Sequence, residues 1–415
     1  MSVSHPIAEM SRHVVVIGGG AAGFFAAVTC AESLGRNGKV TLLEATQHLL
    51  AKVRVSGGGR CNVTHNCFEP AELIKKYPRG GRELLGAFHR WQPRDTLDWF
   101  AQRGVTIKAE DDGRMFPVTD DSATIVDCLQ RAATSAKVEI RTGTSVKSLN
   151  FTDEKFLVNL SNETLTADRV ILACGGGASA GGHALATSLG HTIEPLVPSL
   201  FTFNIKHALL ADLSGLSVED AVVWVDGLKL RERGPILITH SGLSGPGILK
   251  LSAWGARLLS DCAYQFTLKI NFVPTVDASQ VAATLASLRI KEPRKQVTTW
   301  NPFGIPARLW ERLVEAAGIS EGMTWANLSA EGAQSLGNGL TSTELPVSGK
   351  STHKEEFVTC GGVRLREVDF RTMESKVTPG LYFAGEVLDV DGVTGGFNFQ
   401  AAWTTGWLAG QSAAE

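Results

Sequence analysis

His13-Val14-Val15-Val16-Ile17 runs directly into Gly18-Gly19-Gly20-Ala21-Ala22-Gly23. A β-branched run that ends in spaced glycines and continues into an apolar helical stretch reads as strand, tight turn, helix. The glycines have separate tasks: Gly18 permits the turn, Gly20 lets backbone approach a pyrophosphate, and Gly23 lets helix and strand pack closely. The pattern predicts a helix from Ala21 to about Leu34 and a second strand from Lys39 to Glu44. The helix N-terminus, opening with Ala21 and Ala22, presents unpaired N–H groups and a positive dipole end to phosphate. Glu44 closes the second strand, where an acid accepts hydrogen bonds from ribose hydroxyls. A glycine-rich turn without a ligand is the bland alternative. The ordered helix, strand and terminal acid argue against it.

Near the other end of the chain, Gly380-Leu381-Tyr382-Phe383-Ala384-Gly385-Glu386 leads into Gly395-Gly396-Phe397-Asn398-Phe399-Gln400 and a last helical stretch. An enzyme that binds only nicotinamide needs the first segment. One that wraps an extended FAD commonly needs both, and the reading is therefore FAD.

The chain has 415 residues, 43% of them hydrophobic and 20% charged, ordinary for two or three globular domains. A net charge of −2 excludes a global polycation and leaves local basic stretches possible. Met1 to Ser11 holds no signal-like apolar run, and no uninterrupted apolar stretch reaches membrane-spanning length. The seven cysteines are odd in number and scattered, which suits reduced thiols in a cytoplasmic protein.

Further glycine clusters mark other close approaches of backbone to ligand. Ser56-Gly57-Gly58-Gly59-Arg60-Cys61-Asn62 is a second glycine loop, carrying a cation and an amide toward a phosphate or the flavin edge. Asp168 to Ala173 reads as a buried strand ending in Cys174-Gly175-Gly176-Gly177, at the strand end where doubly wound sheets bind ligands. Between Pro70 and about Arg103, Lys75, Lys76, Arg79, Arg82, Arg90 and Arg94 interleave with Tyr77, Phe88 and Trp91. A solvated helical face is the plain reading. RNA contact through residues 75–94 and through the basic stretch 291–295 is the sharper one. Residues 200–272 alternate as β structure, and about 277–341 turn helical, with Trp300, Trp310 and Trp325 read as packing residues.

Together these motifs, with Thr359-Cys360-Gly361-Gly362-Val363 and the run from Gly380 to Gln400, closely resemble the BaiN/RdsA-type flavoproteins. This family of NAD(P)/FAD-dependent oxidoreductases is also described as aminoacetone-oxidase-like, and the resemblance covers nearly the whole chain. It implies an α/β fold in which a Rossmann-type FAD-binding domain is interrupted by a β-rich, barrel-like domain and a small helical domain. The expected boundaries are residues 1–196 with 346–415, then 197–275, then 276–345. It also implies non-covalent FAD held at Gly18, Gly20, Ala21, Ala22, Gly23, Glu44, Lys52, Gly57, Gly58, Gly59, Arg60, Cys61, Asn62, Val146, Cys174, Gly175, Gly385, Glu386, Asn398 and Gln400. The chain departs from the family pattern in the short stretch from Gly177 to His183 and in Cys360, where Ala is more familiar.

The resemblance supplies a chemistry rather than a substrate. The expected reaction is NAD(P)H-linked reduction of a carbon–carbon double bond, with the nicotinamide binding transiently. A uracil base in RNA and a small amine oxidised by O₂ are the alternatives. Acid–base candidates are His240 and Ser241 in the Thr239-to-Gly247 loop, His183, and Cys61. A dithiol reductase built on Cys61 and Cys67 is the rival chemistry; their spacing and the lack of a second nucleotide fingerprint weigh against it. The 240–247 loop is expected to line the acceptor site, with residues 75–94 at its rim.

Overall fold

A computed structural model describes residues 12–177, 181–351 and 358–415. The signal-segment reading of residues 1–11, and the middle of the stretch from Gly177 to His183, lie outside the described residues. The described chain falls into two compact units. One is built up to Val197 together with Val358–Glu415, and the other begins at Pro198.

In the first unit, β1 (Arg12–Ile17), α1 (Ala21–Leu34) and β2 (Gly38–Leu43) follow the reading of the opening segment to within a residue. With β3 (Glu139–Arg141), β4 (Arg169–Leu172) and β5 (Leu381–Phe383) they form the parallel part of a seven-stranded sheet, in the order β3-β2-β1-β4-β5, and the short strands Glu374–Ser375 and Val368–Asp369 extend it antiparallel beyond β5. Val16 sits opposite Leu42 on one side and Ile171 on the other. All three are fully buried, as expected for strands covered on both faces. The chain leaves β1 for β2 on one side, while β4 lies on the other. That reversal opens a crevice beyond the carboxyl end of β1, where doubly wound sheets bind ligands.

The last helix, α2 (Phe397–Ala414), packs on α1 backbone to backbone. A Cβ on Gly406 would lie 2.7 Å from the Ala22 carbonyl oxygen, and one on Gly410 would lie 2.5 Å from that of Ala26. Phe25 of α1 fills the space beside this contact, with Trp99, Trp403 and Trp91 rings 4.7, 5.3 and 5.5 Å away. The two ends of the sequence are thereby joined in one core. Two small three-stranded antiparallel sheets were not anticipated in this form. One is a small sheet of Thr64–His65, Arg114–Pro117 and Ile107–Ala109; the other is a meander from Ser148 to Ala167.

The second unit is a seven-stranded antiparallel sheet with the helices Ala278–Lys291, Ala307–Ala316 and Ala330–Thr341. Val223, Ile236 and Leu268 of the sheet share one apolar cluster with Val281, Trp310 and Leu336 of the helices. The β-rich and helical segments therefore share a core instead of forming separate domains. The return to the first unit comes at Val358, later than the expected residue 346. Thr343–Val347 is an edge strand of the second sheet, where Pro346 is tolerated opposite Thr267.

Candidate cofactor site

At the end of β1, Gly18 turns with φ +115°, and a Cβ there would meet the Ala173 carbonyl oxygen at 2.4 Å. A Cβ on Gly23 would reach the Gly18 carbonyl oxygen at 1.8 Å, so this glycine sets the close packing of helix on turn. Gly20 differs: a Cβ there has nothing within 4 Å, leaving open ground beside the helix start. α1 has no side-chain cap and no acid in its first turn, so its leading N–H groups and dipole are available to an anion. Glu44 reaches back to this turn. Its Oε2 accepts from the Gly19 N–H at 2.8 Å, and its Oε1 accepts from the N–H and hydroxyl of Thr46 at 2.8 and 2.9 Å. Val146 lies half-buried in the coil after β3.

The C-terminal segment closes on the same place. A Cβ on Gly385 would lie 2.8 Å from that of Ala22 in the first turn of α1, and the Gly385 N–H donates to the Thr405 hydroxyl at 2.9 Å. Glu386 Oε2 accepts from Lys52 Nζ at 2.7 Å, and its Oε1 accepts from the Thr359 N–H at the same distance. Gly175 is open, whereas a Cβ on Gly176 would strike Glu386 and Thr359 side chains at 2.8 Å. The Cys174 thiol donates to the Ile17 carbonyl at 3.3 Å, and burial pushes its pKa up to about 12.

Gly57, Gly58 and Gly59 all have positive φ, and the last two face open space. Arg60, expected to face a phosphate or the flavin edge, is engaged by the protein: its Nη1 donates to Glu110 at 2.6 Å and its guanidinium lies 3.9 Å from the Phe116 ring centre. Cys61 is completely buried, and that burial holds its thiol at a pKa of about 12, which removes it as a nucleophile or proton carrier. The dithiol rival loses one of its partners for the same reason. With its amide oriented to suit these neighbours, Asn62 ties the two ends together, accepting from the Gly396 N–H and donating to the Thr64 carbonyl, both at 3.0 Å. Asn398 binds both backbone groups of Gly392 at 2.8 and 2.9 Å. Gln400, expected beside the cofactor, is fully buried, accepts from the Thr64 and Thr96 hydroxyls and donates to Thr404. Both amides are thus held by groups of the protein itself.

His240 and Ser241 occupy a hairpin turn of the second unit, His240 exposed and Ser241 half-buried. His183 is buried against the Val387 carbonyl at 3.2 Å, and burial lowers its pKa. In the basic segment, Tyr77, Phe88 and Trp91 are core residues, and Arg79 is locked to the buried Asp391. Those aromatics cannot act as stacking platforms; Lys75, Lys76, Arg82 and Arg94 remain on the surface. In the 291–295 stretch, Lys295 Nζ lies 3.1 Å from the centre of the Trp300 ring.

The cradle fits FAD: an uncapped helix end over open ground at Gly20, an acid at Glu44 held against the glycine turn, and further open backbone at Gly58, Gly59 and Gly175. The family described as HI0933-like protein, Rossmann domain, matches residues 12–412. The chain belongs to this family. It is 32% identical over 412 residues to the 3-dehydro-bile acid delta(4,6)-reductase of Clostridium scindens, spanning 97% of this chain and 99% of that one. It is also 32% identical over 408 residues to the ribosomal RNA dihydrouridine synthase of Escherichia coli, spanning 96% of both. Among solved structures, a 3-ketosteroid-delta4-(5alpha)-dehydrogenase from Rhodococcus jostii superposes over 99% of this chain and 98% of its own, with a TM-score of 0.52 at 16% identity. A flavocytochrome c3 fumarate reductase gives 0.51 at 16% identity, over 97% of this chain and 78% of its own. These two likenesses show the fold. The HI0933-like chain is an FAD-dependent oxidoreductase. Among the described residues, no helix is long and apolar enough to cross a membrane.

Proposed function

We propose that this HI0933-like flavoprotein uses NAD(P)H to reduce a ring carbon–carbon double bond. The observation that carries this reading is the match, end to end, to two relatives whose names both describe hydrogenation of a ring double bond. The structure supports it by elimination, since the buried Cys61 thiol leaves no surface dithiol at the first βαβ unit. FAD, when bound, supplies the hydride chemistry. The chain's residues do the holding. Glu44 fixes the glycine turn and takes the ribose hydroxyls, the start of α1 takes the pyrophosphate, and Gly175 with Gly385 brings backbone to the remainder. The Lys52–Glu386 pair fastens the C-terminal segment to the N-terminal one. His240 and Ser241 are proposed for proton handling, to be tested by His240→Gln and Ser241→Ala.

A uracil base in RNA is the second reading, favoured by the E. coli relative and by the exposed Lys75, Lys76, Arg82 and Arg94. One experiment separates the readings. The holoenzyme is incubated anaerobically with NADPH or NADH and either a steroid-like enone or a uridine-containing ribosomal RNA fragment, and products are weighed by mass spectrometry. Gain of two hydrogen atoms by either acceptor supports the reductase and names its class. Gain by neither, with NAD(P)H untouched, sinks the proposal.

A further inference from the structure

We infer that Arg60 is a positioning residue. With Glu110 it clamps the Phe116 ring against Gly57, and so holds the Gly58–Gly59 backbone in shape to receive FAD. The inference rests on the reading of residues 57–59 as a cofactor loop.

The ring is gripped from two directions. The Arg60 guanidinium carbon lies 3.9 Å from the Phe116 ring centre. A Cβ on Gly57 would lie 2.9 Å from Phe116 Cε1, so the glycine backbone itself abuts the same ring. Phe116 is fully buried and cannot tilt away without opening a void. Arg60 Nη1 donates to Glu110 Oε1 at 2.6 Å and reaches Asp120 Oδ1 at 3.5 Å. Ser122 ties the loop at both ends: its N–H donates to the Gly59 carbonyl at 2.9 Å and its hydroxyl to the Arg54 carbonyl at 2.8 Å. The carbonyl of Ser56 is likewise taken by the Cys61 N–H at 3.0 Å. The carbonyls of Arg54, Ser56 and Gly59 are thus spent on the protein, while the Cα positions of Gly58 and Gly59 face open space.

Charge balance argues the same way. Arg60, Lys108 and Arg114 are interlinked with Glu110, Asp112 and Asp120 through pairs of 2.5 to 3.5 Å. Three cations face three anions, so the cluster brings no net positive charge to a pyrophosphate. Attraction at this loop then falls to oriented backbone N–H groups, and the guanidinium acts through loop shape.

The test follows FAD release from diluted holoenzyme, read as the return of free-flavin fluorescence. The variants are Arg60→Lys, Glu110→Gln and their combination. Lysine keeps the charge and loses the planar fork and the stack. A shared clamp makes each single variant release FAD about fivefold faster or more, with the double little faster than the quicker single. Prior loss of flavin from a variant whose FAD-free protein melts like the wild type counts the same way. A direct phosphate contact gives a different sign: freeing Arg60 through Glu110→Gln would then slow release or leave it unchanged, and that result overturns the inference. So do additive effects, or melting temperatures lowered in FAD-free protein with unchanged release. Hydrogen exchange isolates the underlying reading: FAD must protect the Gly57–Cys61 amides in the wild type. If it does not, the loop is no cofactor contact, whatever the variants do.

Discussion

Lys52 Nζ lies 2.7 Å from Glu386 Oε2, an ion pair between residues 334 apart in sequence. It joins the segment after the first βαβ unit to the segment that ends β5, the two pieces that a wrapped FAD requires together. The pair is unequal, with 55% of the Lys52 side chain exposed against 19% for Glu386. Glu386 also accepts the Thr359 N–H at 2.7 Å. Lys52→Met should therefore cost at most about 1 kcal/mol of stability. Glu386→Ala leaves a buried amide without its acceptor and should cost about 1–3 kcal/mol. Urea unfolding of both variants checks this ordering, and equal losses would contradict it.

The glycines of the first turn separate folding from binding. Gly20→Ala adds a methyl to open ground at φ −88°, so the FAD-free protein should melt close to wild type while FAD binds at least about tenfold more weakly. Gly23→Ala drives a Cβ into the Gly18 carbonyl and should lower the melting temperature itself. A Gly20→Ala variant with wild-type FAD affinity would remove Gly20 from the site.

Glu44 Oε2 holds the Gly19 N–H at 2.8 Å, and the proposed ribose contact would add to that. Replacing it with Ala should weaken FAD by about 2–4 kcal/mol through lost charge-assisted hydrogen bonds. Glu44→Gln keeps the shape and should lose about half as much. Flavin titration of reconstituted protein measures both; unchanged affinity in the Ala variant would show that Glu44 is not the ribose acid.

Burial pushes the thiols of Cys30, Cys61 and Cys174 from an ordinary value near 9.0 up to about 12. A thiol whose pKa is raised by folding adds stability that is fully present below its unfolded value. That stability is lost as pH rises from about 9 toward 12, because the unfolded chain gives up the proton first. Urea midpoints should fall through that window, and less steeply in a Cys61→Ala variant. At about pH 8 the folded protein should resist iodoacetamide at all three positions. If FAD is held non-covalently, as proposed, acid precipitation should leave the yellow colour in the supernatant; colour retained in the pellet would contradict it.

The nucleotide half was legible because its determinants are local. β-branched residues, spaced glycines and a terminal acid within one βαβ unit each have a single geometric use. Arg60 was not legible, since its partner Glu110 lies 50 residues away and no spacing rule links a glycine loop to a later strand pair. Asn398 and Gln400 come to the site only through the family resemblance, and in the fold their amides are engaged by Gly392 and by buried threonines. In the 75–94 segment Phe88 lies on the buried face of the helix Gly81–Arg90, and Tyr77 and Trp91 are buried just past the ends of short helices. Cations and rings that alternate in sequence therefore part in space. The second unit read as two domains because β and helical periodicities are separate along the chain, and only packing merges them.

One experiment bears on the proposed chemistry above all others. Oxidised holoenzyme is mixed anaerobically with NADH, with NADPH and with a small aminoketone in turn, and the flavin absorbance is followed. We expect bleaching by one or both nicotinamides, and return of the colour when an unsaturated ring acceptor is added. Rapid bleaching by the amine, with none by either nucleotide, would contradict the reductase and make the protein an oxidase.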